Sequence, residues 1–167
     1  MTALKRILSG GSSSATISLA LILLAGPLAA QTPKTNLILA GATITFNAPT
    51  AADYVAGHID SPTGVSYTVD ATSGNQSHTT TVSIRSTSAN LGNGKIIGDL
   101  QWRRSDLVAW NSITLTDAQV EQKVIVRNGL NDPWNNTIFF RLLLSWTTDG
   151  PATYTANYQI TLSQTVP

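Results

Sequence analysis

The chain has 167 residues, ten Lys and Arg against nine Asp and Glu, and no cysteine. A formal charge of +1 without a basic cluster excludes the electrostatic footprint of a nucleic-acid or anionic-membrane binder, and disulfide and thiol chemistry are closed to it. Glu occurs once while Thr, Ser, Asn and Val abound, so good helix formers are depleted and strand and turn formers enriched.

Residues 1–30 read as a secretory signal peptide. Lys5 and Arg6 form a basic start, Ile17 to Leu24 an apolar run, and Gly26-Pro27 a break before the small residues Ala29-Ala30. The apolar run is shorter than the about 20 residues of a membrane span. Cleavage after Ala30 starts the mature protein at Gln31, with no span left in it. Residues 31–167 then number 137, one domain with a core built by packing alone. The expected location is secreted, periplasmic or cell-surface.

Period-2 alternation runs through the mature chain. Asn36 to Phe46 reads as one long first strand with Ile38, Ala40, Ala42, Ile44 and Phe46 on a common face. Val65, Tyr67 and Val69 mark a second strand, and Thr80, Val82 and Ile84 a third. Ile96, Gly98, Leu100 and Trp102 share the face of another. Thr116 to Gln122 suggests a helical turn capped by Thr116 or Asp117, followed by a short strand around Ile125. In Thr137 to Trp146, Ile138, Phe140, Leu142, Leu144 and Trp146 share one face, and Phe139 and Leu143 load the other. Such a strand is central, and Arg141 on its second face needs a partner or an exit to water. Ala152 to Leu162 alternates as one last strand. Turn signals at Ser61-Pro62-Thr63-Gly64, Ser73-Gly74-Asn75, Asn90 to Gly94, Asn128-Gly129, Asn131-Asp132-Pro133 and Asp149-Gly150-Pro151 separate the runs. The expectation is an all-β fold: an antiparallel two-sheet immunoglobulin-like sandwich of about 8–9 strands.

The chemistry-bearing residues are few. His58 and His78 are the two histidines, and no Gly-x-Ser-x-Gly elbow accompanies them. Asp53, His58 and Asp60 lack the spacing of a metal site, and Asn128, Asn131, Asp132 and Asn135 supply one carboxylate where a calcium loop gathers several. No catalytic residue, metal or cofactor is expected. Arg103-Arg104 reads as a solvated strand end. Trp102 and Trp146 fall in phase with apolar faces and belong to the core. Trp110 and Trp134 sit near strand ends, where they read as plugs at the edge of the core or, if exposed, as indoles that stack on a sugar ring. Asn75-Gln76-Ser77 and Asn135-Asn136-Thr137 are glycosylation sequons in a host that uses them.

The ending Asp149-Gly150-Pro151-Ala152-Thr153-Tyr154, followed by Tyr158, Ile160, Thr161 and Leu162, resembles that of bacterial secreted spore-coat-U-like and pilin-like β-sandwich domains, with Phe140-Arg141-Leu142 as the preceding strand. The resemblance covers about the last 30 residues. It implies a non-enzymatic structural or adhesive domain, and for a surface-appendage subunit it implies self-association by donation of the first strand. The ending departs from that pattern at Ala152, in the lack of a disulfide and at Val166-Pro167. Closure of the first strand within its own chain is expected here. The alternative function is a secreted carbohydrate-binding module using Trp110 and Trp134. Candidate partners are therefore a second copy, a surface protein or a carbohydrate.

Overall fold

A computed structural model describes residues 35–40, 44–71, 74 and 76–167, without the side chains of residues 35, 36, 39, 40 and 71. The signal segment, the start at Gln31 and the sequon at Asn75 lie outside the described residues. Among the described residues thirteen strands, most of them short, form antiparallel sheets, so the fold is all-β. The strands are β1 (Thr35–Ala40), β2 (Ile44–Phe46), β3 (His58–Asp60), β4 (Val65–Ala71), β5 (His78–Ser86), β6 (Asn90–Gly92), β7 (Lys95–Ile96), β8 (Leu100–Arg104), β9 (Asn111–Ser112), β10 (Ala118–Ile125), β11 (Trp134–Leu143), β12 (Tyr154–Ala156) and β13 (Tyr158–Thr165).

The largest sheet runs β1-β4-β11-β8-β9, with β3 pairing the far end of β11. Its long strand β11 pairs with three others because its ten residues outreach each neighbour: β4 pairs with Trp134 to Ile138, β3 with Arg141 to Leu143, and β8 with Ile138 to Leu142. A three-stranded sheet runs β10-β5-β13, and β12-β2 and β6-β7 form two-stranded ribbons. Inward residues of these sheets meet in one cluster that includes Tyr67, Val69, Val82, Ile84, Leu100, Trp102, Ile138, Phe140 and Leu142. The expected central strand is β11, and its Phe140 ring lies 5.2 Å from Tyr158.

Three strand readings need correction. The first strand is two strands. β1 pairs with β4 and β2 with β12, so Ile44 and Phe46 are buried while Ile38 is 55 % exposed. The Ile96 to Trp102 run is broken by a 3-10 turn at Ile97–Asp99, whose Asp99 carboxylate accepts the Ile96 N–H; Ile96 is therefore exposed while Leu100 and Trp102 stay buried. Thr116 to Gln122 is not a helical turn, because residues from Ala118 on belong to β10. A register shift between Gln119 and Glu121 marks a bulge there. One extra residue inverts the faces of a strand. Val120 is buried at the bulge, and Ile125 after it, which leaves Val124 and Val126 in solvent.

The run from Tyr154 to Leu162 keeps its alternation but changes partners at Asn157, from β2 to β5. The Asn157 carbonyl accepts the Thr87 N–H and the Ser86 hydroxyl, which ties this corner to the end of β5. Trp146 leaves the core: beyond β11 it is 60 % exposed and stacks on Tyr54 at 4.6 Å. Tyr54 belongs to a six-residue helix, Ala51–Ala56, that the hydrophobic pattern did not show. Its capping box pairs Thr50 with Asp53, and Gly57 ends it at φ 72°. No helix of the described residues is long and apolar enough to cross a membrane.

Polar groups tie described elements together both inside and at one end. Inside, the Tyr67 hydroxyl on β4 donates to Glu121 on β10, and Arg104 on β8 donates to the Val120 carbonyl on β10. The bulge turns Glu121 inward and makes this link. Burial and the Glu121 carboxylate together push the Tyr67 phenol far above its ordinary value. At one end, Lys95 and Asp149 form an ion pair at 2.6 Å with side chains 5 % and 4 % exposed.

Candidate binding site

Alternation along β11 sends Ile138, Phe140 and Leu142 inward and Phe139 and Arg141 outward. On the neighbouring β8 it sends Leu100 and Trp102 inward and Gln101 and Arg103 outward. The register sets Phe139 beside Arg103 and Arg141 beside Gln101, with Asp60 of β3 on the other side of Arg141. One residue before the Asn111–Trp102 pair, Trp110 comes over this outward face. The Arg141 guanidinium lies 4.5 Å and the Arg103 guanidinium 5.0 Å from its ring centroid. Arg103 is also 5.2 Å from the Phe139 ring. All three contacts lie within the about 6 Å reach of a cation–π attraction.

Polar contacts fix the same groups. Arg141 Nε donates to Gln101 Oε1 at 2.7 Å, and Arg103 donates to the Leu107 carbonyl at 3.0 Å, which ties the β8–β9 loop to the sheet. Among the described residues neither guanidinium has a carboxylate within ion-pair distance. A cavity of about 100 Å³ opens among Asp60, Ser61, Arg103, Trp110, Phe139 and Phe140.

Arg104 is the opposite case. Its Nη2 lies 2.6 Å from Asp106, and Glu121 is 3.7 Å away. The hydrogen bond from Arg104 holds the Asp106 carboxyl down at about 2. Asn136 completes this group by donating to Asp106 and accepting from the Ser105 hydroxyl. The adjacent basic pair is therefore not a solvated strand end: alternation assigns Arg104 to a fully paired network and Arg103 to the outward face.

The two tryptophans do not form a row. Trp134 is 8 % exposed and lies on the inward face of β11, with Lys123 Nζ 5.2 Å from its ring centroid. Trp110 is half-buried on the opposite face, with its ring already approached by two guanidiniums. Trp134 thus offers no platform, and Trp110 presents cations instead of an open ring.

Asp53, His58 and Asp60 do not converge. The Asp53 carboxylate accepts the Thr50 N–H at 2.7 Å in the helix cap, which lowers its pKa. His58 Nε2 stands 3.8 Å from Asp60, and its other ring nitrogen lies 3.0 Å from the Ala56 carbonyl. His78 is buried on β5, and neither ring nitrogen has a hydrogen-bond partner among the described residues. In the asparagine-rich loop, Asp132 pairs with Lys123 at 2.7 Å, and Asn128 takes φ 52° in a turn. No group of three His, Asp or Glu able to hold a metal occurs among the described residues.

No protein-family model, curated protein or solved structure matches the chain.

Sequence reasoning missed Gln101, Arg103 and Phe139 as members of a site. Each is an ordinary outward residue of its own strand. Only the register of β8 against β11 makes them neighbours. The one available signal was Arg141, a charge on a strand loaded on both faces.

Proposed function

We propose that this chain is an exported, non-enzymatic adhesive or structural domain of a bacterial cell surface or periplasm, folded as an immunoglobulin-like β-sandwich, and that it binds carbohydrate through the Trp110 face. The observation that carries the reading is the outward constellation of Arg103, Phe139 and Arg141 on paired strands, with Trp110 held over them at the end of the β8–β9 loop. Groups held on strands keep their geometry better than groups on loops, which favours recognition. Export rests on the tripartite pattern of residues 1–30.

The alternative of an appendage subunit has less support. β1 pairs with β4 of its own chain over six consecutive positions, which favours closure within one molecule. The test is expression of the full chain in a bacterial host, with N-terminal sequencing, sizing and glycan-array binding of the exported protein. The expected result is a protein that starts at Gln31, runs as a discrete small species and binds glycans. Intact Met1-bearing protein held in the cytoplasm refutes export, and denaturant-resistant ladders refute closure within one molecule.

A further inference from the structure

Two arginines held without carboxylate partners narrow the ligand. Three features act together on the outward face of β8 and β11. First, Arg103 and Arg141 converge on one indole, at 5.0 and 4.5 Å, so two like charges are held close together. Like charges brought together favour an anion between or above them. Second, each guanidinium has part of its donor set engaged by a neutral acceptor, the Leu107 carbonyl or Gln101 Oε1, which fixes the group without neutralising it. A planar guanidinium held in this way is preorganised for an oxyanion, at a lower entropic cost than a free side chain. Third, the adjoining cavity is about 100 Å³. Small-molecule pockets span about 300–1,000 Å³, so this one suits at most a single small substituent and leaves the rest of the ligand on the open face. Ser61 lines the cavity, and Gln101 pairs with Ser112 on the neighbouring strand.

We propose that the Arg103–Trp110–Arg141 face binds an acidic saccharide, with the two guanidiniums holding a carboxylate or sulfate group of the sugar. This rests on the carbohydrate-binding reading above and adds the ligand's charge. Trp110 is a positioning residue here: it seats the cations and leaves the stacking of a sugar ring to other contacts. Asp60, next to Arg141 in register and on the lining of the cavity, lowers the net charge of the site and turns an anion toward the open, guanidinium side.

The test is calorimetric titration of the exported protein with oligogalacturonate and with its fully methyl-esterified form, and in parallel with dextran sulfate and with dextran. The acid forms should bind, and their neutral counterparts should bind at least about ten-fold more weakly, as loss of charge-assisted hydrogen bonds implies. Affinity for the acid forms should fall with added salt. The two series tell a carboxylate source from a sulfate source. Arg103→Gln and Arg141→Gln should each lose about ten-fold or more, while Arg127→Gln, at a position that lies just past β10 of the other sheet and bonds Ser77 through its backbone N–H, should not change binding. Trp110→Leu keeps both charges but removes their seat, so a several-fold loss is expected with an unchanged circular-dichroism spectrum. Equal binding of acid and esterified forms overturns the anion inference and leaves the carbohydrate reading standing. Failure of every saccharide, charged or neutral, overturns both. Acid-form binding that survives both arginine substitutions also overturns the inference, because the anion would then be held elsewhere.

Discussion

Replacing Lys95 by Met should unfold the domain more readily than any change of its exposed charges. Lys95 Nζ lies 2.6 Å from Asp149 Oδ2, with both side chains almost fully withdrawn from water. Asp99 stands 3.6 Å away on the exposed side. Removing the ammonium leaves a buried carboxylate without its counter-charge, and breaking a buried pair in this way costs about 3–5 kcal/mol. The low end applies here. Asp149 keeps the Ser145 N–H at 2.6 Å and the Thr148 hydroxyl at 3.2 Å, so its lone pairs are not abandoned. Asp149→Asn should cost less, because Lys95 retains Asp99. The double variant Lys95→Met/Asp149→Leu should recover most of the loss but not all, since the Ser145 N–H then lacks its acceptor.

The pH dependence supplies a second check. Burial pushes the Asp149 carboxyl upward, but the Lys95 ammonium and the Ser145 N–H outweigh it, and the folded-state pKa lies below the ordinary value. A depressed carboxylate contributes stability that is fully present above the unfolded-state value near about 4 and is lost as pH falls through the folded-state value below it. In Lys95→Met burial is opposed only by the Ser145 N–H and the Thr148 hydroxyl, so the folded-state pKa rises from its depressed value. The penalty in the variant is then relieved on acidification. Urea melts followed by tryptophan fluorescence should show a gap of about 3 kcal/mol at neutral pH that narrows as the pH drops below 4. A neutral-pH gap under about 1 kcal/mol, the range of an exposed pair, or a gap that widens in acid, would refute the reasoning.

Three further outcomes follow from the packing. Leu142 is fully buried on β11 between Leu100 of β8 and Ile59 of β3, and Leu142→Ala should cost about 2–5 kcal/mol in the same melts through lost transfer energy and the cavity left behind. Tyr67→Phe removes the hydroxyl that joins β4 to Glu121 on β10, and should cost about 1.5–3 kcal/mol, as for a hydrogen bond to a charged group. A Cβ at Gly64 would overlap the Thr137 methyl and come within 3.0 Å of the Phe139 ring, so Gly64→Ala should cost about 1–3 kcal/mol and, by displacing Phe139, perturb the Arg103 seat as well.

Alternation was legible wherever a strand kept one register and one pair of neighbours. The Val65, Tyr67 and Val69 face, the Thr80, Val82 and Ile84 face and the Ile138, Phe140 and Leu142 face are all buried as their spacing implies. The failures share a cause. Between Gln119 and Glu121 the bulge moves the inward set from even to odd positions, so Ala118 to Ile125 never shows the period of a strand. Ile38 and Ile44 keep the same parity but lie in strands of different sheets, and parity carries no information about partners. The change of partner at Asn157 was hidden for the same reason. The short helix at Ala51–Ala56 had its caps in view, Thr50 with Asp53 and then Gly57, but six residues are too few to show a helical period.

The same limit governs the candidate site. A strand's outward residues are known from its own sequence, but a site needs residues from several strands, and that set is fixed by register. Arg141 stood out alone because Phe139 and Leu143 flank it on a face where a charge must be satisfied. Arg103 and Arg104 looked equivalent because they are adjacent. Adjacency in a strand is in fact what separates them: successive side chains point to opposite faces. One therefore joins Asp106 and Glu121, and the other meets Trp110. Trp110 and Trp134 looked equivalent too, since both lie near turns. Trp134 shares the parity of Ile138 and Phe140 and so is committed to the core. Trp110 sits one step from Asn111, which pairs with the inward Trp102, and is thereby placed over the outward arginines. A tryptophan beside a turn thus gains its meaning from the register of the strand it adjoins, and two charges gain theirs from the face on which that register sets them down.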